Sequence, residues 1–81
     1  MKLNEWNDLI TYGNMLCDTL KQDGYDVRLA PYTVCDGRKG LVMQVYDSFG
    51  DVFKEFYSGI DRIKIMKLTM YMNMKRIKTE C

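Results

Sequence analysis

Between residues 4 and 23, Trp6, Leu9, Ile10, Leu16, Cys17 and Leu20 recur at the three-and-four spacing of one helical face, with polar side chains filling the intervals. The pattern predicts a helix over 4–23. Asn4 is placed to act as its N-cap, Glu5 and Asp8 put negative charge at the positive end of the helix dipole, and Gly24 follows as a stop signal. Gly13 falls in the middle of the apolar face. A mid-helix glycine costs about 1 kcal/mol relative to alanine, so either another element approaches closely there or the glycine is simply tolerated.

After Gly24 the period shortens to two. Tyr25, Val27 and Leu29 alternate with Asp26, Arg28 and Ala30, which predicts a strand over 25–34. Pro31 cannot donate to a ladder, so that strand lies at a sheet edge or bulges. The segment CDGRKG reads as a hairpin loop and leads into a strand over 41–47. There Leu41, Met43 and Val45 share one face and Val42, Gln44 and Tyr46 the other, so both faces of the strand look partly covered. DSFGD is a second turn, and Val52, Phe53, Phe56 and Tyr57 favour a third strand over 52–57.

The last segment contains KIMKLTMYMNMKRIK. Ser58 with Asp61 three residues on resembles a capping box, and the pattern predicts a helix over 59–78. At 100° per residue Ile60, Ile63, Met66, Met70, Tyr71, Met74 and Ile77 form one continuous side, wide enough to cover a small sheet. Ile65, Leu68 and Met72 form a second stripe about 120° away. Two apolar stripes demand two neighbours: for the second stripe, either the first helix lying alongside or another molecule.

The elements assemble into a single α+β domain over 1–81, of order α-β-β-β-α, in which a three-stranded antiparallel meander carries both helices on one face. With 47% hydrophobic and 28% charged residues the chain has a globular balance, near the lower size limit for a core that holds itself together. The formal net charge of +1 argues against a molecule that is basic all over. Charge is nevertheless polarised: residues 1–57 hold six cations and nine anions, and residues 58–81 hold six cations and two anions. Cys17, Cys35 and Cys81 are an odd, widely spaced set, histidine is absent, and the start MKLNEWND lacks a signal-peptide core. Reduced thiols, a cytoplasmic location, no metal, no cofactor and no membrane contact are therefore expected. Cys81 could still join two chains, and Cys35 lies in a loop whose Arg38 and Lys39 could activate its thiol.

No nucleophile elbow, glycine-rich phosphate cradle or acid–base pair is present, so catalysis is not expected. The function expected is non-catalytic binding of a protein, as an inhibitor or adaptor of a nuclease or other larger nucleic-acid enzyme. The contact surfaces expected are the sheet face Val42, Gln44 and Tyr46, the acidic second turn with Asp47, Asp51 and Glu55, and the stripe Ile65, Leu68 and Met72. The alternative is RNA or DNA binding by the last helix, through Arg62, Lys64, Lys67, Lys75, Arg76 and Lys78. A homodimer on the same stripe is compatible with either.

Element order is similar to that of double-stranded RNA-binding domains, which would imply shape recognition across minor grooves. In those domains the last helix opens with lysines, whereas the corresponding segment here is SGIDRIKIMK. In size and element order the chain also resembles some small phage anti-CRISPR proteins, which implies occupation of a nuclease surface.

Overall fold

A computed structural model describes residues 3–59 and 62–81. They form α1 (Leu3–Gln22), β1 (Asp26–Thr33), β2 (Lys39–Tyr46), β3 (Val52–Tyr57) and α2 (Ile63–Glu80). The strands make one antiparallel sheet in the order β1-β2-β3, and both helices contact the same face of it. The fold is the α+β arrangement that the periodicities predict.

Each strand boundary follows from local chemistry. The two hairpins close in the same way: Gly37 N–H donates to the Val34 carbonyl while Val34 N–H donates to that of Arg38, and Gly50 N–H donates to the Asp47 carbonyl while Asp47 N–H donates to that of Asp51. Both are three-residue loops with a glycine at positive φ, 87° at Gly37 and 85° at Gly50. Pro31 sits on β1, an edge strand, where one side of the backbone has no ladder to complete. The other edge, β3, is irregular: Val45 pairs with Lys54 but Tyr46 with Val52, so Phe53 is an extra residue. A proline on one edge and a bulge on the other both discourage strand-to-strand association.

The core lies between the helices and the sheet. Leu9, Leu16, Cys17 and Leu20 of α1 meet Val27, Leu41, Met43, Val45 and Phe56 of the strands and Met66, Met70, Met74 and Ile77 of α2. Gly13 lies where the layers come closest. A Cβ there would stand 2.6 Å from Leu29 Cδ2 and 3.2 Å from the Met70 sulfur, so the absent side chain is what lets the sheet and the second helix approach α1.

Three local expectations are corrected. Asn4 is not a cap. α1 already includes Leu3, and the Asn4 Oδ1 accepts a bond from the N–H of its neighbour Glu5. Ser58 does not start the last helix. Its side chain is buried and its Oγ donates to the Leu41 carbonyl at 2.6 Å, tying the end of β3 to β2. The helix begins at Ile63, with Arg62 extended before it and no side-chain cap. Asp61 and Ile60, the other residues of that reading, lie outside the described residues. On the core side of α2, Tyr71 keeps 39% of its surface exposed whereas Asn73 is buried. Asn73 can be buried because its Nδ2 donates to the Tyr57 carbonyl at 3.2 Å, which satisfies the amide and fastens α2 to β3. At the other end of α1, the Tyr25 and Gly24 amides bond back to the Leu20 and Lys21 carbonyls, the paired closure of a Schellman motif.

Candidate interaction surface on the open sheet face

Because both helices occupy one side of the sheet, its other side is covered by no helix or strand among the described residues. Alternation along the strands places Asp26, Arg28, Ala30 and Tyr32 of β1 there, with Gly40, Val42, Gln44 and Tyr46 of β2 and Glu55 and Tyr57 of β3. The register aligns these residues in rows across the sheet.

The middle row is Arg28, Gln44 and Glu55. Gln44 Nε2 donates to Glu55 at 3.1 Å, and the Tyr46 hydroxyl donates to Gln44 Oε1 at 3.3 Å. The Arg28 guanidinium lies over the Tyr46 ring at 4.5 Å and 3.9 Å from Asp26. A chain of polar contacts therefore holds this row flat against the sheet.

Next to it, Tyr32 and Tyr57 come from strands on opposite sides of β2, yet their ring centroids are 5.0 Å apart, edge to face. They meet above β2. Gly40 makes this geometry accessible, because a Cβ at that position would fall 2.5 Å from the Tyr32 ring. Beside this pair, Val42 is buried to 3% exposure although its face has no helix over it. Glu55, next to Tyr57, pushes the tyrosine phenol above its ordinary pKa, chiefly through its negative charge.

Toward the second turn the surface becomes more apolar and more open. Val52 and Phe53 sit at the bulge opposite Tyr46, and Phe49 stands at the tip of the turn with 88% of its surface exposed. Asp47 builds that turn: its Oδ1 accepts from the Phe49 and Asp51 amides at 2.9 and 3.0 Å. One oxygen of this carboxylate is thus committed to the loop, while Asp51 remains exposed.

Of the residues expected at an interface, Val42, Gln44, Tyr46 and Glu55 come together on this face, Asp47 and Asp51 lie at its end, and Val42 is its floor. Ile65, Leu68 and Met72 do not join them. They lie on the outward side of α2, beyond the helical layer, with 49%, 59% and 54% of their surfaces exposed. The first helix does not cover them. It packs against the flank that carries Lys67, whose Nζ is 2.6 Å from Asp8 and 5.5 Å from the Tyr12 ring centroid.

Sequence reading missed Tyr32, Phe49, Phe53 and Tyr57. The signal existed for Tyr32 and Tyr57, since period two assigns them to the face of Arg28 and Glu55. Period two places Phe53 with Glu55 and Tyr57 as well, but the bulge that leaves it unpaired opposite β2 is not encoded in that period.

The basic residues of α2 are dispersed. Lys67 pairs with Asp8, Lys78 with Asp23 at 3.0 Å and Arg76 with Glu80 at 3.7 Å, while Lys64 and Lys75 are exposed with no ion pair among the described residues. Arg62 is exposed just before the helix. In the first hairpin Cys35 is exposed and the nearby Arg38 is turned onto Asp36, whose carboxyl is held below its ordinary pKa first by the Arg38 backbone N–H. Among the described residues no three His, Cys, Asp or Glu side chains converge as metal ligands would, and no helix is long and apolar enough to cross a membrane. In comparisons with known proteins, no family model, curated protein or solved structure matches the chain.

Proposed function

We propose that the protein is a non-catalytic binding domain that docks a protein partner on the open sheet face, in the manner of an inhibitor or adaptor. The observation that carries this reading is the aromatic face of Tyr32, Tyr46 and Tyr57, with exposed Phe53 at the bulge and exposed Phe49 at the tip of the adjoining turn. Tyrosine and phenylalanine supply large contact areas at low entropic cost, and exposed apolar area concentrated on one face is typical of recognition surfaces.

The partner's chemistry follows from the rim. Among the described residues, Asp26, Asp47, Asp51 and Glu55 border the face, alternation places Arg28 on it, and Arg38 and Lys39 stand at the far hairpin. A basic surface with slots for planar rings complements that arrangement, and proteins that bind nucleic acid carry such surfaces. The finer proposal is therefore that the partner is a nuclease or other larger nucleic-acid enzyme, as for the small phage inhibitors of comparable size and element order.

The test is capture of partners from a lysate of the cells that encode the protein, with and without nuclease treatment. The expected result is one large protein retained after treatment. Loss of all retained material would overturn the proposal and favour direct nucleic-acid binding by α2.

A further inference from the structure

The outward side of α2 is a second surface, opposite to the first, and its spacing is specific. Ile65, Leu68 and Met72 are followed at the same alternation of three and four by Lys75 and Thr79, a narrow seam with heptad spacing whose first three positions are apolar. Positions beside the seam carry Lys64, Tyr71 and Lys78 on one flank and Thr69 and Arg76 on the other. α2 holds one carboxylate, Glu80, and it is already shared between Lys54 at 3.3 Å and Arg76 at 3.7 Å.

These charges discriminate between occupants. In an antiparallel pairing with a second copy, Ile65 would face Lys75 and Lys64 would approach Lys78, while the one acid of α2, Glu80, is already engaged. A bilayer surface would have to accommodate Lys75 and Thr79 within the same narrow line as the three apolar side chains, whereas interfacial helices present a continuous apolar side. A helix with apolar residues at its own seam and acids at its flanks meets every group present. We propose that the outer face of α2 docks an acidic amphipathic helix of another protein. Leu68 and Met72 anchor it, and Lys64 and Lys75 take its carboxylates. The domain then has two independent faces, and this second site does not depend on the sheet-face reading.

The experiment uses the full chain and two synthetic 21-residue heptad peptides, both with leucine at the seam, one with glutamate and one with lysine at the flanks. Anisotropy titrations are expected to show the glutamate peptide binding at least tenfold tighter than the lysine peptide, with affinity falling as salt is raised. Leu68→Asp, at an exposed position where the fold tolerates charge, and Lys75→Glu are each expected to weaken it at least tenfold. Phe53→Asp on the sheet face is expected to leave it unchanged. Thermal melts establish that each variant is folded. Equal affinity for both peptides, no binding of the glutamate peptide, or binding indifferent to Leu68→Asp would overturn the proposal. So would a homodimer in sedimentation that Leu68→Asp dissociates, or retention on phosphatidylserine vesicles by a protein that ignores the peptide.

Discussion

At the scale of single residues, Gly40 shows how one absent side chain shapes a surface. Tyr32 reaches over β2 to Tyr57 because nothing projects from Gly40, and a Cβ there would meet both the Tyr32 ring and the Gly59 carbonyl. Gly40→Ala is expected to destabilise the fold by about 1–3 kcal/mol, as overpacked sites do, measured by urea unfolding. Stability equal to wild type would mean that the tyrosine pair is not held by the glycine. Cys17 illustrates the opposite case, a reactive group silenced by its surroundings. Burial pushes its thiol from 9.0 up to about 11, while Cys35 and Cys81 are exposed. At pH 8 a thiol reagent should label the exposed pair in the native protein and reach Cys17 only after denaturation. The raised value also has a stability consequence. Because the folded state holds this proton more tightly, the contribution is complete below pH 9.0 and is lost as pH rises toward about 11. Unfolding curves in that window should fall with pH less steeply for Cys17→Ala.

At the scale of elements, the sequence made the order and type of all five legible, because four have a clear period, the residues of β3 favour extended structure between a turn and a helix, and each turn has its glycine. The helix boundaries were less legible, and Ser58 shows why. A serine three residues before an acid has the form of a capping box, but a serine that ends an internal connection can as readily bond across to the neighbouring strand. Here the acceptor is the Leu41 carbonyl, 17 residues earlier in the chain, which no local pattern encodes. Ser58→Ala should therefore lower stability by about 1 kcal/mol through loss of a buried hydrogen bond, without shortening α2 in chemical-shift-derived secondary structure. Loss of helical shifts at the start of α2 would restore the capping reading. Asn73 is buried while Tyr71 stays exposed for a related reason. Hydrophobicity assigned the tyrosine to the core, but the position facing the end of β3 offers a free carbonyl, and an amide can use it where a phenol on the adjacent flank cannot. The candidate surface was half legible: alternation assigns Val42, Gln44 and Tyr46 to one face of β2, whereas which residues of β1 and β3 lie beside them depends on register.

At the scale of the whole molecule, the two-layer fold explains why the expected contact residues divide into two groups. With both helices on one side of the sheet, the aromatic face looks one way and the α2 seam the other, and no rearrangement of side chains can merge them. Charge follows the same division, with acids around the sheet face and lysines along the outer helix. Half of the cations on which the nucleic-acid alternative draws are paired with carboxylates of α1, of α2 or of the turn after α1, exposed pairs individually worth only about 0–1 kcal/mol. The measurement that tests the central claim most directly is the affinity of the captured partner for wild type, Phe49→Asp, Phe53→Asp and Leu68→Asp, each shown to be folded. Binding on the open sheet face predicts that Phe53→Asp weakens the complex at least a hundredfold, that Phe49→Asp weakens it by a smaller factor, and that Leu68→Asp leaves it within about threefold of wild type. A complex indifferent to Phe53→Asp and Phe49→Asp would contradict that claim and move recognition away from the sheet.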